Sequence, residues 1–428
     1  MHLAMNKNVN FIVLTALVFL SLFTTVSYGE LSSEIDSGDT AWMLVSSAFV
    51  LLMTPGLSFF YGGMVDKKNV ISTMLQSFVA LGVISVLWVI VGFSLAFGES
   101  IGGIIGNPLT YFNFKNVGLE PNPDFAPTIP FLLYALFQLK FAIITPALIT
   151  GSFAGRVRFR SYILYMVLFS LIIYAPLAHM TWHPNGLFRN WGVLDFAGGT
   201  VVHMSAGFAA LAGAIFLGKR KVIKESKANV PYILLGTGLL WFGWFGFNSG
   251  SALGANADAV IAFANTNIAS ATAMITWLFY ERMLGRKMSA TGACIGAVVG
   301  LVAITPAAGF VNIGQSMFIG FIASIVSNWM IHLKNKSNID DTLDVFPSHG
   351  IGGIVGMILT GVLANEVGLV YGETTTFWYH MLALVITAVF TFGGSYVLYI
   401  VVDKLLSIRV REDQEERGLD ISQHGEKF

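Results

Sequence analysis

Long apolar runs, broken by short polar connections, organise this chain. Runs near 41–65, 71–97, 130–152, 161–180, 197–217, 230–248, 258–280, 288–305, 312–333, 349–365 and 377–403 are each about the length an α-helix needs to cross a bilayer. They predict eleven transmembrane helices, with the ends of the eighth and tenth marked least sharply. Several runs contain Pro or Gly, which membrane helices tolerate when neighbours satisfy the freed backbone groups. The connection 98–129 carries Pro108, Pro121, Pro123 and Pro127 and reads as irregular. The pattern therefore predicts an all-α integral membrane domain over 38–403, followed by a polar tail at 404–428.

Residues 1–29 form a separate unit. Lys7 supplies a basic start, Phe11 to Thr25 an apolar core, and Ser27-Tyr28-Gly29 a small–x–small cleavage site. This is the layout of a signal peptide; a short extra helix is the competing reading.

Composition agrees with a membrane protein. Of 428 residues, 55% are hydrophobic and 11% charged, against about 25% charged in soluble domains. Net charge is zero, so there is no electrostatic case for nucleic-acid binding. The sole cysteine, Cys294, excludes an intrachain disulfide and a cysteine-based metal cluster. Alternate loops and the tail hold twenty Lys and Arg residues, whereas the opposite loops hold only Lys115 and Arg189. The positive-inside rule then places the N-terminus outside and the C-terminus in the cytoplasm of a cell (inner) membrane, as a cleaved signal also would.

Two histidines stand inside this apolar sequence. His203 lies in a glycine stripe with Gly199 and Gly207, and His349 in one with Gly352, Gly353 and Gly356. Imidazole in a membrane span faces a bundle interior or pore and marks a proton or substrate path. The glycines either bring a neighbouring helix close or leave a narrow lumen beside the ring. Asp195-Phe-Ala-Gly-Gly-Thr-Val-Val-His203 opens the fifth run and Asp344-Val-Phe-Pro-Ser-His349 the tenth. Five spans separate them, so they enter from opposite sides, as in an inverted repeat whose site lies at the repeat interface. The fold expected is a 5+5 inverted repeat plus a final helix.

These two motifs resemble signatures of the ammonium transporter (Amt/Rh/methylammonium permease) family, in its Amt branch. So do Trp241-Phe-Gly-Trp-Phe-Gly-Phe-Asn248-Ser-Gly-Ser251, Thr54-Pro-Gly-Leu-Ser-Phe-Phe-Tyr-Gly-Gly63 and Gly418-Leu-Asp-Ile-Ser-Gln-His-Gly425. The resemblance runs from about residue 38 to the end. It implies a homotrimer with one pore per subunit and no cofactor. His203 and His349 would share a hydrogen bond in the pore, with Phe141 and Phe247 stacked above them as a gate. Trp182, Ser251, Phe137 and Phe141 would capture ammonium outside, Asp195 would orient that vestibule, and Thr305 would line it. A regulator of the P-II type would be the candidate partner for the tail.

The chemistry fits the residues. Ammonium is a small cation with four donors, so an aromatic cage with one hydroxyl acceptor recognises it. Carrying it intact through a dry pore costs several kcal/mol; losing a proton removes most of that, and histidine exchanges protons near neutral pH. Asp195 also reads as an N-cap, and Asp341 and Asp344 read equally well as solvated loop charges. His179 and His183 flank Trp182 without a third ligand for a metal. No nucleophile–base set points to an enzyme.

Three departures from the family pattern stand out. Lys140, beside Phe141, replaces a neutral residue; it either points away from the gate or competes with the cation. Gly155 replaces a glutamate, and 183–191 replaces a glycine run at the entrance. They keep a second class in view, a weakly conducting ammonium receptor that signals through its tail. A gas channel of the Rh type fits Trp182 and Ser251 less well.

Overall fold

The computed structural model describes residues 34–221 and 227–428; the segment read as a signal peptide lies outside them. Ten helices are long and apolar enough to cross a membrane, and one shorter apolar helix accompanies them. In chain order they are α1 (Ser37–Met64), α2 (Lys67–Phe97), α3 (Phe131–Phe153), α4 (Phe159–Asn190), α5 (Gly199–Leu217), α6 (Val230–Ala252), α7 (Ala257–Met283), α8 (Ala290–Ile304), α9 (Ile313–Asn335), α10 (Phe346–Leu363) and α11 (Thr375–Leu406). Each coincides with one of the eleven apolar runs, so this is a multi-pass membrane protein.

The two halves meet on small residues. α1 lies along α6, where a Cβ added to Gly236 would come 2.3 Å from the backbone nitrogen of Phe60. α5 crosses α10 at Gly207, whose added Cβ would stand 2.2 Å from the Gly350 nitrogen. At Gly207 the absent side chain therefore serves close helix approach rather than an open lumen. These contacts pair the first helix of each half with the other, and the last with the last, as an inverted repeat requires.

α3 runs through the middle. Its helical part, Phe131–Ile149, buries sixteen of nineteen residues, so all but one narrow face of it is packed. The three exceptions, Leu132, Leu136 and Lys140, recur every fourth position and so form one outward stripe.

The connection before α3 is largely irregular, as expected, with two minimal antiparallel pairings, Ser100–Ile101 with Ile105–Gly106 and Pro121–Asn122 with Ala126–Pro130. At the other end of the bundle the tail folds onto the base. Asp420 accepts from the Ser72 and Ile71 amides at 2.7 and 3.0 Å, satisfying free donors at the start of a helical turn in α2. Lys68 donates to the carbonyls of Glu415 and Glu416. Gly418 sits at φ +91, with the Lys68 carbonyl 2.5 Å from where its Cβ would be, so this crossing needs glycine. Gly155 is likewise left-handed, at φ +80, with the Asn69 side chain 2.9 Å from its absent Cβ; a glutamate there would be strained.

Candidate functional site

α5 and α10 both begin with a π-helical turn, Gly199–Met204 and Phe346–Ile351, and each turn carries one histidine. The wider turn rotates its side chains relative to the α-helix that follows, a device found often at functional sites. Both turns are capped by a carboxylate. Asp195 accepts from the amides of Gly198 (2.9 Å), Gly199 (2.6 Å) and Thr200 (2.8 Å) and from the Thr200 hydroxyl (2.5 Å). Asp341 accepts from the Phe346 amide at 2.8 Å. Each bonds an amide five residues on and stands eight residues before its histidine, so the partner of Asp195 in the repeat is Asp341. Asp344, which opens the tenth-run motif, stands only five residues before His349 and does not take this part. Nor is Asp341 a solvated loop charge, since it is 1% exposed. Asp344 forms an ion pair with Lys334 at 2.5 Å.

The capped turns bring the histidines together. His203 and His349 are buried, with their Nδ1 atoms 3.3 Å apart and their rings 5.4 Å apart at 28°. Nε2 of His203 is buried and has no hydrogen-bond partner among the described residues. On one side of the pair the Phe247 ring lies 6.0 Å from His203, and Phe141 covers Phe247 at 4.2 Å. Phe141, lying over Phe247, closes the inner end of a vestibule of about 520 Å3. On the other side His349 borders a narrow cavity of about 10 Å3 with Tyr61 and Ser348, enough for one water-sized molecule.

Trp182, Phe141 and Ser251 line the vestibule together with Gln138, Asp124 and Arg189. Trp182 stands edge-on to Phe141 at 5.7 Å, and its indole N–H donates to the Asp195 carbonyl at 3.1 Å. One aspartate thus caps α5 with its carboxylate and holds the vestibule tryptophan with its backbone. The Ser251 hydroxyl donates to the Phe247 carbonyl at 2.8 Å, which leaves its oxygen lone pairs for a donor in the vestibule. Phe137 is behind the wall, packed on Phe141 at 5.0 Å and 1% exposed.

Three placements differ from the sequence expectations or resolve them. Thr305 is fully buried a layer deeper; its hydroxyl accepts from the Trp244 indole at 2.9 Å and donates to the Leu301 carbonyl. Lys140 is half-buried on the outward stripe of α3 and is not part of the vestibule wall. The 183–191 segment does reach the entrance, through Pro184 and Arg189. His179 and His183 stack at 4.3 Å, and no metal-ligand cluster of three occurs among the described residues.

Sequence reasoning missed Trp244, which stacks on His203 at 5.3 Å and 21°. Its signal was available. It lies three residues before Phe247 and so on the same helical face.

Burial, reinforced by Asp344, pushes the Asp341 carboxyl up to about 6 against the pull of Lys334. A carboxyl raised on folding binds its proton more tightly in the folded chain. Its stabilising contribution is complete below the unfolded value of about 4 and is lost as pH rises through 6. Raising pH from about 4.5 to 7.5 is therefore expected to lower the melting temperature of the wild type relative to Asp341→Asn, measured in detergent. Parallel pH profiles would show that folding does not raise the Asp341 carboxyl.

Residues 41–428 match the sequence profile of the Ammonium Transporter Family. The chain is 46% identical to an ammonium transporter of Aquifex aeolicus over 418 residues, covering 96% of this chain and 97% of that one. Its fold superposes on Candida albicans Mep2 with a TM-score of 0.84 at 34% identity, covering 90% of this chain and 89% of the other. A solved structure titled "Sensor Amt Protein" superposes with a TM-score of 0.83 at 29% identity, covering 90% and 98%.

Proposed function

Since this chain belongs to the ammonium transporter family, which is a family of transporters and not of enzymes, we propose that it captures ammonium in the vestibule and passes it through the histidine pair as ammonia and a proton. The observation that carries this reading is the unpartnered, buried Nε2 of His203 directly beneath the phenyl floor. An orphaned acceptor in an apolar wall is costly, and a proton donor arriving from above would satisfy it.

The steps follow from the geometry. Ammonium rests against Trp182 and Phe141 with one N–H on the Ser251 oxygen. Phe141 and Phe247 are in contact, so passage requires a swing of the rings. Below them ammonium gives one proton to His203 Nε2. The proton on His203 Nδ1 shifts across the 3.3 Å contact to His349 Nδ1, and His349 Nε2 releases its own towards the narrow cavity. Neutral ammonia moves beside the rings, and each imidazole regains its starting tautomer by moving its own proton from one ring nitrogen to the other, with no return of a proton across the pair, so that one charge is carried per cycle.

The vestibule faces outwards in this reading, because the twenty basic loop and tail residues gather at the opposite end. Residues 1–29 act as a cleaved signal peptide, the 38–403 domain assembles as a homotrimer in the inner membrane, and the docked tail is the surface for a P-II type regulator.

Purified protein in proteoliposomes on a solid-supported membrane should give a saturable, ammonium-dependent current. Trp182→Leu removes a cation–π contact worth about 2 kcal/mol, so the half-saturating concentration should rise about 30-fold. An unchanged value would remove Trp182 from recognition. The likeness to the sensor structure favours the receptor as the alternative, and tight ammonium binding without current would establish it. Lys140 does not account for such a block, because it faces away from the vestibule.

A further inference from the structure

Two polar side chains face outwards in the middle of membrane spans, and neither has a partner. Lys140 is the only Lys, Arg, Asp or Glu in the interior of a span among the described residues, and it sits on the outward stripe of α3. Asn267 on α7 is exposed, whereas its neighbours Asn265 and Thr266 are buried and hydrogen-bonded. Neither the Lys140 ammonium nor the Asn267 amide makes a hydrogen bond or ion pair within the described residues. An ammonium group against hydrocarbon costs about 2.5–3.5 kcal/mol, so a lipid-facing position is unfavourable for it.

The two groups stand at the same depth. Asp39 holds both starting points, accepting from the Thr128 hydroxyl at 2.6 Å and from the Ala255 amide at 2.8 Å. Lys140 lies twelve residues beyond Thr128, and Asn267 twelve residues beyond Ala255. Counted from the helix starts at Phe131 and Ala257, both are about 14–15 Å into the membrane. They emerge on different flanks, since α3 packs on α1, α1 on α6, and α6 on α7. One chain cannot bring them together.

We infer that Lys140 of one copy donates to the side-chain carbonyl of Asn267 on an adjacent copy, so that each subunit interface is pinned by one Lys–Asn pair at mid-membrane. The reading rests on the oligomer proposed above and specifies which flanks meet. A donor on one flank and an acceptor on the other make a head-to-tail contact, and such contacts close into a ring when the rotation allows. The fit is chemical as well as positional: Lys offers three donors and no acceptor, and the Asn carbonyl supplies the acceptor. Polar pairs of this kind join helices where apolar surfaces give no drive to associate.

The test uses full-length chains with Cys294→Ser, so that no native thiol remains. Lys140→Cys and Asn267→Cys chains, differently tagged and co-expressed, are treated in membranes with a short bifunctional thiol reagent. Mixed-tag crosslinks at least tenfold above same-tag ones are expected, and a chain carrying both cysteines should run as a covalent ladder on a denaturing gel. Same-tag crosslinks of equal strength would overturn the pairing. Native mass spectrometry of the untreated wild type separates the two readings. An oligomer without mixed crosslinks defeats the pair alone, and a monomer defeats the oligomer as well. A second readout does not depend on crosslinking. Asn267→Asp should leave the ring at least as resistant to thermal dissociation as the wild type, whereas Lys140→Met with Asn267→Asp should dissociate at lower temperature than either. Equal dissociation of all three would overturn the inference.

Discussion

Replacing His203 with alanine is expected to reduce ammonium current by about a hundredfold or more while leaving capture in the vestibule intact. Without an acceptor at Nε2 the ion keeps its proton and must cross the apolar stretch between the phenyl floor and the cavity at His349. Bringing a charge into such surroundings costs several kcal/mol, and each 1.4 kcal/mol is about tenfold in rate. His349→Ala should cost as much, because the shared Nδ1 contact at 3.3 Å makes the rings one relay. Groups that act as a unit are not additive, so the double variant should be no worse than either single one. Currents on a solid-supported membrane, paired with thermal stabilisation by ammonium as the binding measure, separate the two steps. A variant carrying current within twofold of the wild type would end the relay reading.

Asp195→Ala should act differently, by removing folded protein. Four donors lose their acceptor at the start of α5, and buried orphan donors cost about 1–3 kcal/mol each, less than additively. A destabilisation of about 3 kcal/mol or more is expected, read as a lower melting temperature and a poor monodisperse yield. Asp195→Asn retains one acceptor and should fall between. A folded, wild-type-stable Asp195→Ala variant that no longer binds ammonium would move Asp195 from a positioning role to direct recognition of the ion.

The element plan was legible because its cause is local. An apolar run long enough to cross a bilayer must satisfy its own backbone, so each run predicted one helix and each was found. The site was partly legible for the same kind of reason. His203 and His349 are costly where they are, and cost marks them. Trp244 escaped notice because an indole in an apolar helix carries no such mark; only the stacking on His203 and the bond to Thr305 give it a role. Asp341 escaped because Asp344 opens the motif and stands nearer His349, although the eight-residue spacing is that of Asp341; the choice between them depends on which carboxylate the turn buries.

By itself the sequence determined the eleven spans, the charge asymmetry between the two ends and the family, since these depend on composition and order along the chain. The tertiary structure decided the rest. It set α5 against α10 at Gly207 and Gly350, turned two imidazoles towards each other through paired π-helical turns, and put Thr305 behind Trp244 instead of in the vestibule. It also kept Lys140 out of the vestibule wall. The physical reason is that a side chain's role in a bundle depends on which helix lies opposite it, and that pairing depends on residues far apart in the chain.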